Sequence, residues 1–465
     1  MQVVLADLAS ADGLVSKDTV AGGYGSRLRP FSRVTRVISQ VKRRLHALPS
    51  VQLGYIAALC AGAGHDVTYT EGDAAEGADV AIVLSSLVDY RRECAWAAAQ
   101  RARGLRVGFV GLAASKLPEL FESSGDFVIL GEPEDAVMRL AAGEVLTGRV
   151  QSTPIDDLTT LPFPRWDLVG RDRTRGWHLP FTGRPIGGSF PVLASRSCPE
   201  FCTYCPHRIL SPYRARSAQH IADELEYVCS LKHRPYVVFR DPLFSEDRDR
   251  CLELCEEIHA RRLTLRFECE TRLDRLDAEL LRTMRRAGLA AISFGVETRL
   301  DDTLKRSGRR PIPSSHQRRI IAECRRLGIV TAAFYVLGFV QDDWASVAAT
   351  IEYAISLGST AAQFKLLTPY PGTPMWRQLR ERIYETDWQR FDGFTPTFTH
   401  PSLSADELRF LLGAAYTRFY VRPSYLANFL RLRGRGLRAA ERFDSSVFAR
   451  HERRERAETA KAVIS

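Results

Sequence analysis

No stretch of this sequence approaches the roughly 20 apolar residues that a membrane-spanning helix needs. The opening residues, Met1-Gln2-Val3-Val4-Leu5-Ala6-Asp7, carry neither a basic leader nor a cleavage signature, and a cytoplasmic protein is expected. The ten cysteines in 465 residues are unevenly placed and make no disulfide framework. Aromatic residues are not interleaved with the basic ones in the manner of single-strand binders. The net charge of +10 is carried largely by arginine pairs on predicted helices, such as Arg91-Arg92, Arg285-Arg286, Arg318-Arg319 and Arg325-Arg326. Solvated helix faces account for that charge, so no nucleic-acid partner is expected. With 45% hydrophobic and 26% charged residues the chain reads as globular, and its length calls for two to three domains.

Against this background stands Cys198-Pro199-Glu200-Phe201-Cys202-Thr203-Tyr204-Cys205. Pro199 and Pro206 keep the stretch out of a helix, so a loop aims three thiols at one place. Scattered thiols such as Cys60, Cys94, Cys229 and Cys324 read as buried small hydrophobes; a triplet does not. Half of a zinc site is the rival reading, but no second Cys/His pair follows at finger spacing. His207 stands too close to Cys205 for good tetrahedral geometry. Three thiolates are one short of an ordinary iron–sulfur ligand set, which leaves one iron of a 4Fe-4S cluster open to a small molecule.

Around this loop the sequence alternates strand and helix. In residues 1–150 the predicted strands are Val3 to Leu8, Asp66 to Tyr69, Val80 to Leu84, Arg106 to Val110 and Phe127 to Leu130. Helices are predicted from Ser50 to Ala63, Tyr90 to Arg103 and Lys116 to Ser123, with another opened by Pro133. Apolar strands of this kind argue an α/β fold with a Rossmann-like (flavodoxin-like) parallel sheet. Such sheets bind ligands beyond their strands' carboxyl ends, which here are Ser85-Ser86, Gly111 to Ser115 and Gly131-Glu132-Pro133-Glu134. A Gly-rich excursion lies at residues 21–26. Residues 151–188, rich in Pro and Gly, read as a linker.

From residue 189 six strand–helix repeats follow. The strands are Pro191 to Ala194, Tyr236 to Arg240, Thr264 to Glu268, Ala291 to Val296, Thr331 to Leu337 and Gln363 to Leu367. They predict a partial TIM-like barrel of six β/α units over 189–395, with its site at the strands' carboxyl ends. A helical segment over 396–465 begins at a capping box, Ser404 to Glu407, and ends in an Arg-rich stretch from Arg431. Contact of that stretch with an anionic membrane surface is the weaker reading beside a solvated helix.

The cysteine spacing, with Tyr204 before the last thiol, resembles the signature of the radical S-adenosylmethionine (SAM) superfamily. Gly54 to Ala58, Gly64-His65, the Asp79 strand, Ser85-Ser86 and Gly131 to Glu134 resemble the cobalamin-dependent branch. So does Leu161-Pro-Phe-Pro164 at the domain boundary. The Asp-x-His-x-x-Gly motif of other cobalamin proteins is absent, as is usual in this branch, and Gly111-Leu112 replaces a Gly-Gly turn often found there.

The resemblance implies that Cys198, Cys202 and Cys205 hold a 4Fe-4S cluster whose open iron chelates SAM. It implies cobalamin at Ser85, Ser86, Gly111, Gly131 and Glu132. Asp241 takes the place of a residue that meets the SAM ammonium. Glu297, in Gly295-Val-Glu297-Thr298, and Gly338 take SAM-contacting places, Glu270 is a further candidate, and Pro369 to Pro374 resembles a signature after the sixth strand. The implied activity is C-methylation of an unactivated carbon in a small molecule through a 5′-deoxyadenosyl radical, with an external electron donor of flavodoxin or ferredoxin type. Cyclisation or rearrangement with the same cofactors is the alternative; the tail from Phe419 to Leu426 resembles members acting on hydrophobic or polycyclic substrates. An RNA-modifying methylthiotransferase is disfavoured, because only Cys60 and Cys94 precede the linker.

Overall fold

The computed structural model describes residues 1–10, 14–17, 24–30, 35–37, 48–169, 189–423 and 425. Residues 21–23 of the Gly-rich excursion, the linker from residue 170 to 188 and the Arg-rich stretch from Arg431 lie outside these.

The first sheet is parallel throughout. Strand β1 (Gln2–Ala6) is followed by a small antiparallel hairpin, β2 (Leu14–Ser16) and β3 (Ser26–Leu28). Then come β4 (Asp66–Thr70), β5 (Val80–Leu84), β6 (Arg106–Val110), β7 (Phe127–Leu130) and β8 (Gly148–Gln151). The six-stranded order is β4-β1-β5-β6-β7-β8. Every residue of β5 is buried, as expected of a central parallel strand with helices on both faces. Each such Val, Ile or Leu contributes roughly 1.5–3 kcal/mol by leaving water.

Two local readings are corrected. The helix expected over Lys116 to Ser123 instead runs Leu112–Lys116, with a 3-10 turn at Pro118–Leu120. Gly111 has φ +108°, so the chain turns directly out of β6 into the helix. The helix stops before Pro118, which supplies no N–H and disfavours helical backbone just before it. Strand β8 was not anticipated: with one buried residue in four it lacks the apolar run that marks the other strands.

The second sheet is built from β9 (Ser189–Val192), β12 (Tyr236–Phe239), β13 (Arg266–Thr271), β14 (Leu289–Glu297), β15 (Val330–Leu337) and β16 (Ala361–Leu366). The order is sequential and all pairings are parallel, with β9 and β16 as its edges. A two-stranded hairpin, β10 (Ser195–Arg196) with β11 (Arg214–Ala215), closes the base of the cysteine loop. In β13, β15 and β16 burial alternates strictly. One row packs beneath the helices. The other, including Glu268, Glu270, Gln363 and Lys365, is partly open on the inner face.

An open parallel sheet leaves an edge of unpaired backbone at β16. The helix Ala405–Tyr420 covers it. Ser404 and Glu407 form the expected capping box. Tyr416 and Tyr420, one helical turn apart, reach back to the strand: the Tyr416 hydroxyl donates to Phe364 O at 3.0 Å, and that of Tyr420 to Ala362 O at 2.7 Å. Tyr416 and Tyr420 therefore cap the edge strand.

Candidate active site

The three thiols lie on the loop between β10 and β11, at the carboxyl end of the second sheet. None is in a disulfide; Cys202 is buried, Cys198 and Cys205 partly so. Burial, with the neighbouring Cys202 and Cys198 adding to it, pushes the Cys205 thiol up to about 12. Among the described residues no three His, Cys, Asp or Glu side chains converge to grip a single ion. Ligands of a cluster bond different irons and need no common point. Three free thiols on one short loop fit such a group by donor chemistry. Burial holds His207 neutral, its pKa down at about 4, with Arg240 and Lys365 adding to the effect.

Backbone strain marks the same place. Only four non-glycine residues among those described have positive φ: Ser197, Arg234, Arg262 and Glu297. Two of these adjoin the site. Ser197, at φ +66°, immediately precedes Cys198, and its buried hydroxyl has no hydrogen-bond partner among the described residues. Glu297, also at φ +66°, follows a register shift where β14 leaves β15. Such strain persists where the surrounding structure enforces it.

Glu297 is buried, and desolvation pushes its carboxyl pKa up against the pull of Arg309 and Arg272. Arg309 lies 3.4 Å from it and donates to Gly295 O at 2.6 Å. A second nitrogen of the same guanidinium is 3.8 Å from Cys202 Sγ. Burial opposes the Arg309 charge, but Tyr204, Glu297 and Cys202 outweigh it and raise the pKa. Glu200, between the first two thiols, pairs with Arg310 at 3.1 Å and Arg275 at 3.4 Å. The sequence drew no attention to Arg309, because the run Arg306 to Arg310 looks like a solvated helix end. Lys365 was also passed over. It stands on the inner face of β16 with its Nζ 5.9 Å from the centre of the Phe394 ring, and burial lowers its pKa.

The other sequence candidates fall as follows. Asp241 is wholly buried and already engaged: it accepts from the Ser195 hydroxyl at 2.6 Å and from Ala194 N at 3.0 Å. It ties β12 to the thiol-bearing hairpin, where a carboxylate open to a ligand was expected. Glu270 belongs to β13 itself, not to the loop after it, and pairs with Arg240 at 3.1 Å. Gly338 follows β15 at φ +79°, and Asp342 accepts from its N–H at 3.0 Å.

In the first sheet Ser85 and Ser86 are wholly buried and turned inward. The Ser85 hydroxyl donates to Val110 O at 2.7 Å, and that of Ser86 to Glu93 at 2.7 Å. They brace the loops and do not present hydroxyls to a ligand. Gly111 and Gly131, both at positive φ, are bridged by the Ser115 hydroxyl, which donates to Gly111 O at 2.8 Å and accepts from Gly131 N at 3.0 Å. Glu132 meets Arg214 at 2.5 Å and Arg196 at 3.3 Å.

These contacts bring the carboxyl ends of the two sheets together. Glu132 and Glu134, after β7, hold Arg196 and Arg214 of the β10–β11 hairpin. Tyr24 stacks on Tyr370 of the loop after β16 at 5.3 Å and donates to Pro371 O at 2.5 Å. A Cβ on Gly372 would lie 3.2 Å from Ile209 and 3.6 Å from Lys116.

Comparison with known proteins agrees with this architecture. The Radical SAM superfamily matches residues 192–354. An uncharacterized methyltransferase of Pyrococcus horikoshii is 25% identical over 293 residues, 60% of this chain and 61% of that protein. The anaerobic magnesium-protoporphyrin IX monomethyl ester cyclase of Rubrivivax gelatinosus is 24% identical over 60% of this chain and 50% of its own length. The matches therefore span between half and three fifths of these relatives. The radical SAM methyltransferase TsrM of Kitasatospora setae, solved with cobalamin and a 4Fe-4S cluster bound, superposes with a TM-score of 0.58 at 16% identity, covering 82% of this chain and 78% of that one. At that identity the likeness is one of fold.

Proposed function

We propose that the chain, whose residues 192–354 match the Radical SAM superfamily, is a cobalamin-dependent radical SAM enzyme that methylates an unactivated carbon of a small molecule. The observation that carries this reading is the meeting of two parallel sheets at their carboxyl ends, with three free thiols on a hairpin loop at the junction. Ligands of such sheets bind beyond those ends. A cofactor on each sheet would therefore face the other.

In this reading Cys198, Cys202 and Cys205 hold a 4Fe-4S cluster, and residues 189–395 form the SAM-cleaving unit. Residues 1–150 hold cobalamin. Gly111 and Gly131 supply side-chain-free backbone for a flat ligand there. Bound together, the cluster would supply the electron that cleaves SAM and cobalamin the methyl group. Glu297, strained and beside Arg309, offers a carboxylate to the SAM ammonium; Gly338, whose N–H Asp342 already takes, offers the adenine its carbonyl. Asp241 holds the thiol hairpin in place. The outer side of the loop, where Pro199, Phe201 and Arg208 are exposed, is where a flavodoxin- or ferredoxin-type donor approaches. A reducing compartment, the cytoplasm, suits the free thiols. Among the described residues no helix is long and apolar enough to cross a membrane.

Cyclisation or rearrangement with the same cofactors is the second reading, favoured by the likeness to the Rubrivivax cyclase. Anaerobic reconstitution with iron, sulfide and hydroxocobalamin tests both. The expected outcome is about four irons and one cobalamin per chain, with SAM cleavage on reduction. A loaded cluster without retained cobalamin would leave a plain radical SAM enzyme and remove methyl transfer from cobalamin. With both retained, label transfer from methyl-labelled SAM separates methylation from cyclisation.

A further inference from the structure

We propose that Arg309 is a positioning and potential-setting residue, which donates an N–H bond to the Cys202 sulfur and holds that sulfur against the end of β14. This rests on the reading above that Cys202 is a cluster ligand.

The geometry is over-determined. The helix Asp301–Arg306 ends at Ser307, whose carbonyl accepts from Thr203 N at 2.9 Å. Gly308 follows at φ +71°, so close to the loop that a Cβ there would lie 2.1 Å from Phe201 O. The turn is thus fastened to Phe201 and Thr203, the two neighbours of Cys202. Arg309 N is itself held by Leu304 O at 2.9 Å. From that fixed base the guanidinium fork spans two elements. One terminal nitrogen is 3.8 Å from Cys202 Sγ; the other is 2.6 Å from Gly295 O and 3.4 Å from Glu297 Oε1. A Cβ on Gly295 would come within 2.9 Å of the guanidinium, so a glycine there keeps the approach open. The Arg309 side chain is 11% exposed, which limits screening of its charge by water.

Arginine is charged at every working pH and presents several N–H donors in a rigid plane. Hydrogen bonds to the sulfurs and the net charge around a cluster are among the factors that set its reduction potential. A reduced cluster carries one more negative charge, so a neighbouring cation and an N–H donor stabilise it over the oxidised form. Arg309 therefore makes the cluster easier to reduce. The same fork keeps Glu297 at the mouth beside the cluster.

The test is a mediated redox titration of anaerobically reconstituted full-length protein, followed by electron paramagnetic resonance. At the wild-type midpoint, Arg309→Met should show a reduced-to-oxidised ratio about tenfold lower, a shift of ~59 mV for a one-electron couple, with iron and sulfide content unchanged. Arg309→Lys, which keeps the charge and loses the fork, should fall between. A fully loaded methionine variant with the wild-type midpoint would overturn the proposal. A second measurement does not depend on any variant loading: wild-type protein labelled with 15N-arginine should show nitrogen hyperfine coupling in the spectrum of the reduced cluster. A reduced, loaded protein without that coupling overturns it too. Wild-type protein that takes up no iron and sulfide contradicts the cluster reading itself, a distinguishable failure.

Discussion

Arg196 donates to Glu134 at 2.8 Å, and the two side chains are 4% and 2% exposed. The same guanidinium lies over the Tyr55 ring at 4.9 Å and reaches Glu132. One buried cation, two residues ahead of Cys198, therefore joins the loop after β7 to the cysteine loop. Breaking a buried pair by removing one partner costs about 3–5 kcal/mol. Arg196→Met should lower the urea midpoint of unfolding by a corresponding amount, and adding Glu134→Gln should restore part of it. Burial works against the Glu132 charge, but Arg196 and Arg214 outweigh it and lower the pKa. A depressed carboxyl contributes stability above its unfolded pKa, and that stability is lost as pH falls through the folded one. The wild type should lose this contribution in the acid range below ~4.3. Arg196→Met should lose less there, as unfolding curves at stepped pH would reveal.

Gly308, just after the helix Asp301–Arg306, packs closely against the cysteine loop. Its φ of +71° suits glycine, and an added Cβ would lie 2.1 Å from the Phe201 carbonyl oxygen. Backbone atoms cannot swing aside as a side-chain tip can. In Gly308→Ala the loop bearing Cys202 must shift, at a cost of about 1–3 kcal/mol for the strain alone. The expected outcome is a chain that still folds but binds clearly less iron and sulfide per mole after reconstitution. Full loading would mean that the loop adapts.

Much of the fold was legible because apolar periodicity is a local property. Val80–Leu84, Arg106–Val110 and Phe127–Leu130 fall where the pattern puts them. The cysteine loop was legible because its spacing is unusual. Less legible were features created by distant parts of the chain. Ser85 and Ser86 read as ligand contacts from their strand-end position, yet Val110 O and Glu93 claim them in space. Glu132 read the same way and turned out to face Arg214, 82 residues on. Arg309 gave no signal, since only the folded chain sets it beside a cysteine 107 residues earlier. Strand β8 was hidden because an edge strand with exposed side chains has no apolar run to show.

Asp342 gives a pH signature of opposite sign. Burial raises its pKa to about 6, although the N–H groups of Gly338 and Phe339 donate to it at 3.0 and 2.9 Å. A folded pKa above the unfolded one means that the native state binds more protons, so stability falls as pH rises from ~4 to ~6. A shift of this size corresponds to an order of 2–3 kcal/mol. Asp342→Asn keeps an oxygen acceptor for the two N–H groups and removes the titration. Its stability curve should be flatter between pH 4 and 7 than that of the wild type, and its thermal midpoint at pH 7 equal or higher. A slope identical to the wild type would mean that Asp342 stays ionised throughout.

Glu297 is the carboxylate on which the proposed SAM site turns. It occupies the strained end of β14, next to the guanidinium that also touches Cys202. Such strain in a non-glycine residue is better explained by a carboxylate held out for a ligand than by packing, which any apolar residue would serve. A hydrogen bond to a charged group is worth about 1.5–3 kcal/mol, so Glu297→Gln should weaken SAM binding by roughly 10- to 100-fold. Equilibrium dialysis of reconstituted protein against labelled SAM measures this directly, and iron content reports whether the cluster loop survived. A variant with full iron and weakened SAM binding places Glu297 at the ligand. One with full iron and unchanged affinity assigns the carboxylate to Arg309 alone, and the SAM ammonium must then find its partner elsewhere along the inner face, where Glu270 on β13 is the next carboxylate.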